Sequence, residues 1–545
     1  MATVSKLTGL SGWAQAWLTQ YIDKLRKKPA SGVLRLILTL AVLDFIRRAV
    51  YTRYFHPLSH VPGSWTNISY FFTAVGQHTG YSHYLIPYGH KRYGKVMRVA
   101  PEIISVADKD AIREILVTID YPKSIIHERL ELNGQHNLFS SRNKDFHKNR
   151  RRLVAPAFGL SFLRTLEPIM HDCIQVLLRK MDQILEDQNQ NGQKGGQLNA
   201  GTVNVCSFMN RLSLDIIGET AFGQTFGMVL HDDHPVPKLM AKSLKRSSQQ
   251  VFNPILRLLV PVDNSFFKFG AERVQARRDA LMKQQAQDSH NNGQEGRRSD
   301  LLQYLLDAQE RERANGQGET GNAYEDMIAG KLTDKALETE TVLFLIAGSE
   351  TSSTAMTHTL MFLVKNPEML TRLHEELTRA TASNPKGSLP AYDQIRNSPY
   401  LTACINESLR LRPVAANGVP REVPEDTTMA GYFIPKGTIV MAHIPSLHKN
   451  PDYFPEPLKF IPTRWIPEES PFPNSPIQEF TFYPFSAGTR NCVGKNFAMM
   501  EMRLVLATLV LTYTMEDVPN QRDDYVQFVT TALATEKYMI RMKRR

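Results

Sequence analysis

The sequence predicts a mainly α-helical fold with a small β portion, built as one large domain over residues 51–545. Three observations carry this. From about residue 107 to 380 the apolar residues recur mostly at helical spacing. After Arg412 the chain turns rich in Pro and Gly, with short apolar runs such as residues 438–442 that read as strands between turns. No long linker and no internal repeat divides the two stretches, so they are expected to share one core.

The elements follow in order. Residues 1–30 form an amphipathic segment: Leu10, Trp13, Ala14, Trp17, Leu18 and Tyr21 fall on one helical face, suited to lying on a membrane surface. Residues 31–50 hold an apolar run, 33–46, broken by Arg35 and Asp44, and are expected to anchor the chain in a membrane. The run is shorter than the roughly 20 residues of a full span, so its flanks would have to snorkel. Basic clusters on both sides (Lys24, Arg26, Lys27, Lys28; Arg47, Arg48, Arg53) leave its orientation open. With no small-residue cleavage site behind it, the segment is expected to be retained. Residues 96–106 alternate around Pro101 as a hairpin. Polar stretches at 187–199, 286–300 and 314–322 read as surface loops. A long apolar helix is expected over 338–363 and a final helix over 496–511, followed by terminal strands.

The net charge of +11 implies acidic partners or anionic surfaces. No zinc-type Cys/His cluster and no RNA-reading aromatic motif is present, so nucleic acid is not an expected partner. Four cysteines (Cys173, Cys206, Cys404, Cys492) are too few for a disulfide framework. Three of them read as small buried hydrophobes. Cys492 does not.

Cys492 sits in Phe485-Ser486-Ala487-Gly488-Thr489-Arg490-Asn491-Cys492-Val493-Gly494. Gly488 and Gly494 let the backbone turn tightly and approach a bulky group. The helix expected just afterwards points its N-terminal dipole and N–H groups at the sulfur, which favours a thiolate. Arg490 can offer a charge-assisted fork to a carboxylate. Upstream, Glu407 and Arg410 share a helix face. Within the long helix, Ala347-Gly348-Ser349-Glu350-Thr351 puts an acid and a hydroxyl in apolar surroundings, where burial without partners is costly. A mid-helix Gly348 costs about 1 kcal/mol relative to Ala, which suggests a local reason such as close approach of a ligand.

The Cys492 stretch resembles the haem-binding loop of the cytochrome P450 family, FxxGxRxCxG, at every fixed position. Three further motifs follow in the family's order. Glu407-x-x-Arg410 resembles its ExxR, and the Phe460-Ile461-Pro462-Thr463-Arg464-Trp465 segment its partner, implying a structural Glu407/Arg410/Arg464 network. Ala347 to Thr351 resembles the oxygen-binding helix. His147-x-x-x-Arg151 stands where the family often has Trp-x-x-x-Arg.

The resemblance implies a haem-thiolate monooxygenase domain holding haem b (iron protoporphyrin IX). Cys492 would ligate the iron, Phe485 and Gly488 would shape the loop, and Arg490 would bind a haem propionate. Arg151 is implied as a second propionate contact, with Arg150 and Arg152 beside it as alternatives, His147 as a departure of open role, and Arg421 as a further candidate. Glu350 is implied in proton delivery and Thr351 in hydrogen bonding to dioxygen. No GxGxxG fingerprint or flavin segment is evident, so electrons are expected from a separate NADPH-cytochrome P450 reductase at the endoplasmic reticulum membrane, with the catalytic domain facing the cytosol. Pocket walls would include Phe344, Leu345 and residues 414–419 and 530–534, mostly apolar or small, which fits a lipophilic substrate. The 54–58 segment (Tyr-Phe-His-Pro-Leu) and the Glu350 helix are similar to fungal members of specialised metabolism. A haem-thiolate isomerase or dehydratase that needs no NADPH is the alternative.

Overall fold

The structure is a computed structural model and describes residues 16, 20, 29–132, 134–192, 201–223, 225–231, 236–251, 265–288, 300–316, 318–385, 387–474, 477 and 479–545. The six apolar residues of the expected amphipathic segment lie outside them. Helix α1 (Pro29–Val50) contains the apolar run, and Leu36, Ile37, Leu38, Leu40, Val42 and Leu43 are all exposed on it. Among the described residues, no helix is long and apolar enough to cross a membrane.

The domain is helical with small sheets, as its spacing predicts. After α2 (Phe71–Thr79) and α3 (Ser82–Tyr93) come strands β1 (Val96–Ala100) and β2 (Ile103–Val106). These are the expected hairpin, but both strands are wholly buried. Arg98 tolerates this because its guanidinium donates to the Thr52, Ala100 and Pro101 carbonyls. Helices α4 (Lys144–Val154), α5 (Glu167–Gly192), β3 (Thr202–Asn204), α6 (Val205–Phe222), α7 (Val236–Val251), α8 (Ser265–Asp288) and α9 (Leu301–Ala314) follow. Their starts are set locally. Asn143 accepts from the Asp145 and Phe146 amides, and Asp300 accepts from Gln303, filling donors a helix start leaves open.

Two helices run into stretches expected to be loops. α5 continues through Gly192 and α8 through Asp288, because polar Gln, Asn and Asp residues lower helix propensity without breaking a helix. The chain does leave helix after Ala314, as predicted.

Helix α10 (Asp334–Val364) crosses the core and starts one turn earlier than predicted, capped by Thr333. α11 (Pro367–Ala380), α12 (Pro399–Leu411), β4 (Val419–Glu422), β5 (Thr427–Met429), β6 (Tyr432–Ile434), β7 (Ile439–Ala442) and α13 (Lys495–Thr512) lead to strands β8 (Tyr513–Asp517), β9 (Tyr525–Gln527), β10 (Thr531–Leu533) and β11 (Met539–Arg544). One sheet runs β1-β2-β7-β4, with β2 and β7 parallel; a second runs β3-β11-β8. The main apolar core draws on α5, α6, α9, α10, α12 and α13. A second apolar cluster lies on the β1-β2-β7-β4 sheet.

Gly348 has a local reason in the packing of α10. A Cβ on Gly348 would come within 2.8 Å of Ile217 Cδ1 on α6. The local reason for the glycine is thus close packing of two helices.

Candidate functional site

The loop before α13 is shaped by its own backbone. Cys492 N–H donates to the Phe485 carbonyl at 3.0 Å, closing the loop on itself. Ser486 (φ 58°) and Gly488 (φ 72°) turn it through the left-handed region. Glycine is obligatory at 488, because an added Cβ would sit 1.9 Å from the Leu116 carbonyl oxygen.

Cys492 is exposed by surface area, yet burial is the largest influence on its thiol and pushes its pKa up. Both hold because the sulfur faces interior space rather than bulk water. The Gly494 N–H, Arg151 and Lys495 pull the other way. The helix start therefore offsets burial without overcoming it, and a bound metal ion would be what fixes the thiolate.

Across from this loop runs α10. The Phe158 ring bridges the two: it lies 5.3 Å from the Phe344 ring on α10, and its edge is 3.9 Å from where a Gly494 Cβ would be. Ala347, one turn on from Phe344, is exposed where the helix around it is half-buried or buried. Glu350 and Thr351 follow directly. Burial raises the Glu350 pKa against a Thr530 hydrogen bond that lowers it, and its Oε2 has no partner. Thr351 donates to the Ala347 carbonyl at 2.7 Å.

The predicted cofactor-binding residues converge from three parts of the chain. Arg490, from the loop, is buried with only long bonds to the Ser141 (3.3 Å) and Arg142 (3.4 Å) carbonyls. Arg421, on β4, is 1% exposed; it donates to the Tyr121 carbonyl at 3.2 Å and its Nε has no partner. Burial lowers its pKa to about 10. Arg151, on α4, donates to the Asn491 carbonyl at 2.7 Å and to the Asn491 side chain; burial lowers its pKa, and the nearby Cys492 opposes that shift. Its neighbours are excluded: Arg150 turns away to a buried pair with Glu340 at 3.1 Å, and Arg152 is exposed. His147 is buried beside Lys123, Arg490, Arg151 and Arg421; burial first, then these charges, push its pKa down to about 2. Its imidazole is neutral.

Sequence reasoning missed Lys123. It is buried, donates to the Leu138 (2.9 Å) and Phe139 (2.7 Å) carbonyls, and is pushed well down by burial, Arg490 and Arg421. It also missed Asp120 and Asn491. A lysine after a proline in a loop carries no signal of burial, so nothing in the sequence would have found it.

Three basic side chains, Lys123, Arg421 and Arg490, are thus buried together, with the half-buried Arg151 beside them. The carboxylates acting on them are Asp120 and Glu340, and Glu340 is already bonded to Arg150. Buried cations left short of counter-charge suit an anionic ligand. A thiolate donor facing interior space, with a carboxylate-seeking rim beside it, fits an iron porphyrin.

The scaffold network is met as expected. Glu407 receives Arg410 through both oxygens at 2.8 Å, Arg464 at 2.9 Å, the Ile461 amide at 3.0 Å and, unpredicted, the Trp465 indole at 3.0 Å.

Comparison with known proteins agrees with this geometry. The sequence profile of the cytochrome P450 family matches residues 62–542. A cytochrome P450 monooxygenase of Aspergillus aculeatus is 31% identical over 95% of this chain and 98% of its own. One from a Fusarium species is 30% identical over 96% of each chain. A trichothecene C-4 hydroxylase of Trichoderma arundinaceum is 26% identical over 90% of this chain and 93% of its own. Members of the family carry a haem-iron cofactor and generally use a redox partner and lipophilic substrates. The chain belongs to the cytochrome P450 family and is a haem-thiolate monooxygenase.

Proposed function

We propose that this enzyme inserts one oxygen atom of dioxygen into a lipophilic organic substrate, a hydroxylation or related oxidation, with electrons from a separate NADPH-dependent reductase. The observation that carries this is a Cys492 loop bridged through Phe158 to α10, the helix that carries the half-buried acid and hydroxyl of Glu350 and Thr351. Haem b, when bound, supplies the redox and oxygen-activating chemistry. Cys492 would hold its iron. Arg490, Arg421, Arg151 and Lys123 would take the propionates, joined by the neutral His147 imidazole, while Phe485 and Gly488 keep the loop closed. Thr351 would turn its hydroxyl from Ala347 toward dioxygen. Glu350, protonated more readily than an ordinary carboxyl, would deliver protons on the same side.

Phe344 on α10, and Val414, whose carbonyl accepts from Thr531 at 2.9 Å, support an apolar substrate pocket, whereas Leu345 is wholly buried in the core and is not a pocket wall. The exposed apolar surface of α1 and its basic flanks support anchoring at the endoplasmic reticulum membrane, with the catalytic domain on the cytosolic side. The net positive charge suits an acidic electron donor. The fungal relatives support a role in specialised metabolism. An isomerase or dehydratase has no use for an acid–hydroxyl pair on α10 and is the less favoured reading.

The test is spectroscopic. The ferrous–carbon monoxide complex should give a thiolate-type spectrum, and Cys492→Ser should abolish it; a retained thiolate spectrum in that variant would sink the assignment. Thr351→Ala should keep the haem and lose turnover, on the order of 100-fold. Titration with lipophilic compounds should move the ferric spin state and identify the substrate class.

A further inference from the structure

Asp120 is not required by anything derived so far, and its backbone is unusual. It lies in the left-handed region (φ 53°) without being glycine. Backbone bonds on both sides hold it there: Ile119 N–H donates to Glu114 at 3.1 Å and Tyr121 N–H to Ile115 at 2.9 Å. Strain of this kind persists where the surroundings over-determine it, and it clusters at functional sites. The strained turn aims the carboxylate at the cysteine loop. Thr489, three residues before Cys492, donates its hydroxyl to Asp120 Oδ2. Oδ1 is buried without a hydrogen-bond partner and lies 3.6 Å from where a Gly488 Cβ would stand. The Asp120 charge favours the charged forms of both Arg421 and Arg490. One carboxylate therefore touches the Cys492 loop and acts on two of the cations beside it.

We propose that Asp120 is a positioning residue of the haem site. Through Thr489 it tethers the loop that carries Cys492. Through its charge it holds part of the attraction of Arg421 and Arg490 that the haem carboxylates would otherwise receive in full. This rests on the haem-thiolate reading of the family.

The test uses haem-loaded protein and two readouts other than turnover: the rate of haem transfer to excess apomyoglobin and the ferric/ferrous midpoint potential. Asn tolerates the left-handed backbone and still accepts a hydrogen bond, so Asp120→Asn removes the charge alone. It should slow haem loss several-fold, as the two arginines turn wholly to the propionates. It should also move the potential to more positive values, since a negative charge that opposed the added electron is gone. Thr489→Val removes the tether alone and should speed haem loss several-fold with the potential unchanged. Wild-type values of both readouts in Asp120→Asn, or faster loss without a potential shift, overturn the proposal. Should Asp120→Asn fail to fold, Thr489→Val decides: faster loss supports the tether and unchanged loss overturns it. A wild-type protein without a thiolate-type carbon monoxide spectrum would fail the family reading itself, which is a separate outcome.

Discussion

Two clusters of buried charge, one around Glu407 and one around Arg490, are built on opposite terms. Around Glu407 the account closes: both carboxylate oxygens receive several donors, and Arg410 also donates to the His448, Pro457 and Lys459 carbonyls. The pair is wholly buried. Around Arg490 it does not close. Arg421 has an unpartnered Nε, Arg490 makes only long bonds, and Lys123 is pushed toward its neutral form. Glu407, Arg410 and Arg464 are buried, and so are Lys123, Arg421 and Arg490, so burial does not distinguish scaffold from site. Satisfaction does. A network with every partner supplied by the chain holds the fold, whereas a cation cluster short of carboxylates marks where a ligand brings the missing charge.

The contrast can be broken most forcefully at Glu407. Glu407→Gln strands two buried guanidinium groups, and a loss of roughly 3–5 kcal/mol is expected, measured as the drop in unfolding free energy of the purified protein. A loss under about 1 kcal/mol would mean the network is not the scaffold.

The opposite sign is expected at Arg421. Arg421→Leu removes a buried charge that lacks counter-charge, so the haem-free protein should unfold at equal or higher denaturant, by up to about 2 kcal/mol. The haem-loaded protein should lose haem faster. Equal destabilisation of both forms would erase the distinction between the clusters.

The smallest effect sharpens the comparison with a third, half-satisfied group. Glu501 on α13 is 1% exposed; it accepts from Ser213 at 2.6 Å, and its Oε2 lacks a partner in the hydrogen-bond geometry. Burial raises its pKa from 4.5 to about 7. The folded state therefore keeps a proton that the unfolded state releases, so this group's contribution to stability falls as pH rises from 4.5 to about 7. Glu501→Gln should flatten that part of the stability–pH curve. An unchanged slope in the variant would show that Glu501 is charged in the fold.

What was legible in the sequence was whatever is written locally. Helical spacing gave α10 and α13 to within about a turn, the hairpin at Pro101 followed from alternation, and the fixed positions around Cys492 identified the loop and its family. Glu407 and Arg410 were readable because i,i+3 neighbours must share a face. The rest depended on segments far apart in the chain. Only packing shows that Gly348 makes room for Ile217, that Arg150 turns to Glu340 while Arg151 turns to the loop, and that Lys123 and Asp120 meet residues some 300 to 370 positions away. Whether a charged side chain is solvated or buried, and whether its partner is another residue or a ligand, is set by what surrounds it in three dimensions. The sequence by itself determined the thiolate loop and its helices; the tertiary structure decided which cations gather beside that loop, because the cost of burying a charge depends on neighbours that no local pattern records.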